Sequence, residues 1–409
     1  MTIINEDIKL QRLLKYKSEL EEELNAVLSY WMNYTVDKEF GGFYGSVNNE
    51  NIPDKSAPKG VVLHGRILWT FSAAFRLTNN LEHFNTAKKA YEFIVNNFLD
   101  IEYGGVYWSV DANGKMLEGK KQIYGLAFCI YGLSEYYKIS QEKNAMEKAI
   151  DLFAQIEHAS FDEEKNGYIE ALTREWTEIG DLRLSEKDNN ERKTMNTHLH
   201  IIEAYANLFT VWPDNKLKER IVNLLNLFDL YFINKESYHL NLFFDDDWNL
   251  KSTLQSYGHD IEASWLLQQC AEIIQHQDFE NKFKKLALPV TEAAAEGLDS
   301  DGGLWYEYEQ ESSKLIYEKH SWPQAEAMIG FFNAYQLTGN EKNLQMSLNS
   351  WEFVKNYLKD NDGGEWFWGV NKDYSVMKKD KAGFWKCPYH NSRACMELIS
   401  RINNILNGK

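Results

Sequence analysis

The sequence predicts an all-α protein: an (α/α)6 barrel of six repeated helical hairpins, with short β-hairpins in the connecting loops. Three observations predict it. A glycine turn followed by alternating aromatic and small residues recurs as GGFYGSV from residue 41, GGVYWSV from 104, NGYIEAL from 166, GGLWYEY from 302 and GGEWFWGV from 363. The first three starts are spaced by 63 and 62 residues and the last two by 61, and such self-similarity is the mark of a repeat architecture. Between the motifs lie paired stretches with helical apolar periodicity, and only six prolines interrupt 409 residues.

The 136-residue gap between 166 and 302 has room for one further unit, and HLNLFFDDDW at 239–248 fills it with the same strand-like alternation. Each of the six units then runs hairpin signal, polar loop, periodic stretch, turn and second periodic stretch. The first stretches begin near Val61, Tyr124, Met195, His259, Trp322 and His390 and are rich in small and apolar residues, as in RILWTFSAAF. The second stretches, such as EHFNTAKKAYEFIVNNF, mix charged and apolar positions as solvent-facing helices do. Twelve helices in six antiparallel pairs, the less charged member of each pair inside, close most simply into a double ring. An open solenoid is the rival. Closure is favoured because the last unit carries polar residues of the same kind as the first, where a solenoid would want polar caps. One catalytic domain over residues 1–409 is expected.

Composition narrows the function. The chain is 44% hydrophobic and 14% aromatic, with 13 Trp and 23 Tyr, which suits both a large core and the flat apolar faces on which sugar rings stack. A net charge of -17 argues against a nucleic-acid partner, which needs a basic stripe. No stretch reads as a secretory signal or approaches the ~20 apolar residues of a membrane span, so a cytoplasmic, monomeric protein acting on a small molecule is expected. Cys129, Cys270, Cys387 and Cys395 are too sparse for a disulfide framework and complete no zinc motif, so all four are expected reduced and no metal is expected. No phosphate loop, dinucleotide-binding glycine pattern or nucleophile elbow occurs, and no cofactor is expected.

The unusual polar residues gather at the starts of the first stretches: Arg66, Tyr124, Asn196 with His200, His259 with Glu262, Trp322 with Gln324 and Glu326, and His390 with Arg393. In a closed barrel all six starts lie at one end of the lumen. Asn196 and His200 stand four apart and share a helix face, whereas His198 points elsewhere and is expected to be structural. His259 and Glu262, three apart, also share a face, so the carboxylate is expected to orient or charge the imidazole. Two imidazoles with ordinary pKa near 6.5 and an arginine suit proton transfer at a carbon next to a carbonyl, the arginine stabilising the oxyanion. Glu262 and Glu326 keep glycoside hydrolysis open, since that chemistry needs two carboxylates.

Five stretches carry a family resemblance: KGVVLHGRILW (59–69), KTMNTHLHIIEAYANL (193–208), SYGHDIEASWLL (256–267), WPQAEAMIGFFNAY (322–335) and FWKCPYHNSRACME (384–397). Together they resemble the cellobiose 2-epimerases of the N-acylglucosamine 2-epimerase superfamily, over nearly the whole chain. The resemblance implies an (α/α)6 barrel and cofactor-free, reversible epimerisation at C2 of the reducing-end glucose of β-1,4-linked disaccharides. It makes His259 and His390 the acid/base pair acting through a cis-enediolate, and gives Arg66 the enediolate oxygens. His200, Tyr124, Asn196 and Glu262 would bind hydroxyls or assist ring opening, with Glu326 also at the sugar. Trp322 and Trp385 would stack on the sugar rings. Ser392 stands where the family pattern has Gly, and His64 where many relatives differ; His64 is expected to be structural. The alternatives are a monosaccharide 2-epimerase or aldose–ketose isomerase of the same superfamily, and a non-catalytic oligosaccharide-binding barrel.

Overall fold

A computed structural model describes residues 2–408, with side chains from residue 8. The ends of the expected domain, Met1 and Lys409, lie outside the described residues. Six helices, α2 (Val61–Thr78), α4 (Ile123–Ser140), α6 (Met195–Phe209), α8 (Tyr257–Ile273), α10 (Ser321–Thr338) and α12 (Tyr389–Leu406), form the inner ring. Each packs on the next, and α12 packs back on α2, so the ring is closed. Their onsets fall within two residues of those expected. The inner helices are buried all round, as in the unbroken run Val61–Ala74 of α2, because they have neighbours on every side.

The outer ring comprises α1 (Thr2–Tyr34), α3 (Leu81–Phe93), α5 (Lys143–Ala159), α7 (Asn215–Leu227), α9 (Gln277–Ala294) and α11 (Glu341–Phe353). These bury one stripe each: Phe283, Ala287, Val290 and Ala294 of α9 are buried at spacings of four, three and four. Asn80, Asp214 and Asn340 cap α3, α7 and α11 by accepting backbone N–H groups of the first turn. α2 and α4 end on Asn79 and Gln141 in the left-handed region, at φ 54° and 55°.

One expectation needs correction. Among the described residues the sixth unit has no second helix after α12. Its place is taken by α1, the first helix of the chain, which packs on α12. α1 also reaches the fifth and sixth units: Trp351 Nε1 donates to Glu19 at 2.6 Å and Trp366 Nε1 to Glu23 at 2.8 Å. α1 therefore completes the outer ring against α12 of the inner ring.

Short antiparallel strand pairs knit the rim at the N-terminal ends of the inner helices. The strand before each inner helix pairs with the strand after the next unit's turn: Lys59–Gly60 with Ser109–Val110, Lys121–Gln122 with Ala171–Leu172, Lys193–Thr194 with Phe243–Phe244. Leu254–Ser256 pairs likewise with Glu307–Glu309, and Lys319–His320 with Gly369–Val370. Ala382–Gly383 pairs with Ser46–Val47, which completes the circle.

Beneath this rim a buried ion pair repeats. Lys59 meets Asp37 at 2.7 Å, Lys121 meets Asp100 at 2.8 Å and Lys193 meets Asp162 at 2.9 Å. Lys319 meets Asp299 at 2.7 Å, and Lys381 meets Asp360 at 2.5 Å. Each lysine precedes an inner helix and each aspartate opens a turn. The fourth unit has Gln255 and Asn234 at these positions, so both charges are lost together. Asn234 keeps the turn's geometry, accepting from the N–H groups of Glu236 and Ser237 just as Asp37 accepts from Glu39 and Phe40.

A buried charge left without its partner costs about 3–5 kcal/mol, whereas removing both can be neutral. Lys59→Gln alone is therefore expected to destabilise the protein by about 3–5 kcal/mol in chemical denaturation. Lys59→Gln with Asp37→Asn, which copies the fourth unit, is expected to recover most of that loss. A double variant no better than the single one would contradict the pairing argument.

Candidate active site

The second and sixth residues of each inner helix lie on one face, four residues apart. In order they are Val62 and Arg66, Tyr124 and Phe128, Asn196 and His200, Gly258 and Glu262, Trp322 and Glu326, and His390 and Ala394. The fourth residue instead turns to the rim. His64 Nε2 accepts the Phe43 N–H at 3.2 Å, His198 Nε2 that of Tyr168 at 2.9 Å, Asp260 that of Leu240 at 2.8 Å and Gln324 that of Leu304 at 2.6 Å. His64 and His198 thus hold backbone, as their spacing implies. Burial drives both down to about 3, so they stay neutral acceptors.

His259 is the third residue of its helix and departs from the pattern. The reason is Gly258: a Cβ there would lie 2.5 Å from the Trp322 ring. With no side chain at 258, the Trp322 indole occupies the space. His259 then packs on it at 4.8 Å between ring centroids, and His390 packs on the same indole at 5.5 Å.

Each imidazole is oriented through Nδ1. His390 Nδ1 lies 2.6 Å from Glu326 Oε1, and His259 Nδ1 lies 2.8 Å from the Ser256 hydroxyl. Among the described residues neither Nε2 has a protein hydrogen-bond partner. Burial lowers His259 to about 3, with His200 and Lys187 adding to the effect. Burial, then Arg66 and Arg393, hold His390 well below the usual imidazole range. Both rings are neutral at pH 7, the form that can accept a proton. Glu262 does not orient His259 as its spacing had suggested, since its carboxylate is turned to Arg393.

Arg66 is 4% exposed and makes no ion pair among the described residues. Its Nη2 donates to the Tyr124 hydroxyl at 2.8 Å, its guanidinium lies 4.2 Å from the Phe128 ring centroid, and Nε has no partner. A buried cation without a counterion has strong unused affinity for an anion. Asn196 Oδ1 is likewise buried and unpartnered. Tyr124 packs edge-on against His200 at 5.0 Å and against Trp385 at 6.0 Å. Trp385, Trp322, Trp368 and His390 line one open pocket.

Beneath the imidazoles sits Arg393, 1% exposed. Its Nη2 donates to Glu262 at 2.6 Å and Glu326 at 2.7 Å, and its Nη1 donates to Glu203 and to the Tyr389 hydroxyl. Three carboxylates from α6, α8 and α10 thus share one guanidinium from α12. Burial pushes all three carboxyls up, and only Glu203 escapes: Arg393, His200 and Tyr389 hold it down at about 2. Burial and the Glu326 charge push Glu262 up to about 7 against the pull of Arg393, and burial also raises Glu326. Glu262, Glu326 and His390 could jointly offer ligand atoms to a metal, as these lie within 4.8 Å of one another. The cation between the two carboxylates is already Arg393.

The structure places the ten expected site residues in the first two turns of the inner helices and in the loop before α12, but not all of them line the open pocket. Glu326, expected to touch sugar, is fully buried behind His390, with its oxygens taken by His390, Arg393 and the Trp265 indole N–H at 3.1 Å. Sequence reasoning missed Glu203, which accepts from His200 Nδ1 at 2.8 Å. The signal was present in HLHIIE: Glu203 follows His200 by three residues, the same spacing that drew attention to His259 and Glu262.

The Glu262 carboxyl has a testable pH signature. Unfolded, it ionises near 4.5; folded, near about 7. Between these values the native state binds more protons than the unfolded state, so stability falls as pH rises. Glu262→Gln keeps an acceptor for Arg393 but cannot ionise. Its stability relative to the unsubstituted protein is expected to rise between about pH 5 and pH 8 in urea unfolding, and a difference independent of pH would contradict the assignment.

Comparison with known proteins places this geometry. Residues 42–394 match the N-acylglucosamine 2-epimerase (GlcNAc 2-epimerase) family. A cellobiose 2-epimerase of Bacteroides fragilis is 48% identical over 385 residues, covering 94% of this chain and 98% of its own. That of Ruminococcus albus is 40% identical over 387 residues, with coverage of 94% and 98%. The solved structure of cellobiose 2-epimerase from Bacillus thermoamylovorans B4167 matches with a TM-score of 0.91 at 40% identity, covering 95% of this chain and 99% of that one. The chain belongs to the N-acylglucosamine 2-epimerase family and is an epimerase, an enzyme of the isomerase class.

Proposed function

We propose that the enzyme reversibly epimerises C2 of the reducing-end glucose of β-1,4-linked disaccharides, converting cellobiose to glucosyl-mannose and lactose to epilactose. One observation carries this reading. Two neutral imidazoles with unpartnered Nε2 atoms, His259 and His390, accompany a buried arginine, Arg66, that is close enough to act on His390 and has no counterion among the described residues. Simple sugar binding calls for neither feature. The similarity to cellobiose 2-epimerases supports the disaccharide as substrate.

In this reading the sugar ring opens with help from His200, and Tyr124, Asn196 and the free oxygen of Glu262 hold hydroxyls. One imidazole removes the C2 proton, the C–H electrons form the C1–C2 double bond, and the former carbonyl oxygen becomes anionic. Arg66 stabilises that oxygen. The negative enediolate raises the proton affinity of the imidazoles beside it, so the second imidazole takes a proton from solvent on Nε2 and delivers it to the opposite face of C2, and the first imidazole afterwards returns its proton to solvent. Glu326 against Nδ1 stabilises the imidazolium form of His390. The reverse reaction exchanges the two roles. Trp322 and Trp385 form the stacking surfaces, and the whole chain, residues 1–409, acts as one catalytic unit. The reaction is a proton transfer and needs no cofactor.

Proton NMR of cellobiose with the enzyme in D2O tests this. Deuterium at C2 together with mannose-type signals is expected. His390→Ala should lower the rate by ~10^2–10^4-fold. Release of free glucose, turnover of mannose or N-acetylmannosamine alone, or an unimpaired His390→Ala variant would each contradict the reading.

A further inference from the structure

We infer that Glu203 is a positioning residue for this epimerase: held by Arg393 and Tyr389, its carboxylate fixes His200 with the proton on Nδ1, so that the Nε2 lone pair is left for the sugar. The inference rests, for its catalytic consequence, on the proposed ring-opening role of His200. Its structural part stands alone.

The geometry divides the two oxygens of Glu203. Oε2 accepts from His200 Nδ1 at 2.8 Å. Oε1 accepts from both the Tyr389 hydroxyl and Arg393 Nη1. Both residues are buried, His200 at 2% and Glu203 at 3% exposure, so water does not compete for these bonds. An ionised carboxylate has no proton to give. With Arg393, His200 and Tyr389 holding Glu203 at about 2, it can only accept, and the proton between the two groups belongs to Nδ1. A parallel contact occurs at His390, whose Nδ1 lies 2.6 Å from Glu326 Oε1. The two imidazoles are thus set by two carboxylates that share one cation, along an unbroken chain His200–Glu203–Arg393–Glu326–His390.

Glu203→Gln tests this, because an amide has one acceptor where the carboxylate has two. Two donors, one of them a buried cation, meet at the Oε1 position, so the amide oxygen goes there. The amide nitrogen then occupies the Oε2 position and donates toward His200. His200 must accept at Nδ1 and carry its proton on Nε2, which is the wrong atom for ring opening. Two-bond 1H–15N correlation spectra of uniformly 15N-labelled enzyme read this directly. The unsubstituted enzyme is expected to show His200 as the Nδ1–H form and Glu203→Gln as the Nε2–H form. A fall in kcat of ~10^2–10^4-fold, with KM nearly unchanged, should accompany the switch.

An Nε2–H His200 in the unsubstituted enzyme would overturn the inference, and that spectrum suffices even if the variant does not fold. A folded Glu203→Gln variant that keeps the Nδ1–H form, or that switches tautomer with kcat intact, would also overturn it. The test separates the two readings. If the unsubstituted enzyme fails to epimerise cellobiose but shows the tautomer switch, the substrate reading falls and the role of Glu203 in setting His200 stands.

Discussion

The structure depends on one buried guanidinium. Arg393 draws Glu203, Glu262 and Glu326 from three different helices onto one point in the lumen. Burying a guanidinium with three carboxyl groups is expensive, and only close, saturated hydrogen bonding offsets it. Arginine suits the task because its planar fork presents several donors and stays charged when buried. The carboxylates fixed in this way then fix the imidazoles above them. The orientation of His200 and His390 is inherited from the ion cluster beneath them.

The repeat explains how six sequence-distant segments meet there. Each inner helix starts at the same rim, tied by a strand pair to the next unit and, in five units, by a buried Lys–Asp pair. Positions two and six of every inner helix therefore face the lumen, and the fold offers six equivalent pairs of sites for chemistry. The fourth unit breaks the regularity most. It lacks the ion pair, places Gly258 where the other units carry a side chain, and advances His259 to the third position. That one irregularity lets Trp322 lie between the unit and its neighbour, with His259 and His390 both against it.

Much of this was legible in the sequence. Five glycine turns and the strand-like alternation at 239–248 marked the six units, and the lower charge of the first stretches marked the order of the rings. The i, i+4 rule separated His200 from His198. What was not legible had physical causes. The sixth outer helix comes from the opposite end of the chain, and no local pattern announces ring closure through α1. Spacing placed Glu262 on the face of His259, but a buried arginine from α12 competes for that carboxylate and wins, leaving His259 to Ser256. Glu326 reads as a sugar ligand until the same arginine and His390 are seen to saturate it. Long-range charge pairing decided the cases of Glu262 and Glu326, and helical spacing carries no information about it.

The central proposal is that two separate imidazoles, His259 held by Ser256 and His390 held through Glu326 by the buried Arg393 cluster, serve opposite faces of one carbon. Cellobiose deuterated at C2 of the reducing glucose, converted by the enzyme in ordinary water, tests it most directly. With two separate bases the abstracted deuteron stays on one imidazole while the other supplies a solvent-derived proton, so the epimer formed in the earliest turnovers carries no deuterium at C2. Substantial retention of deuterium in that epimer would mean that a single group both removes and returns the proton, and would contradict the account.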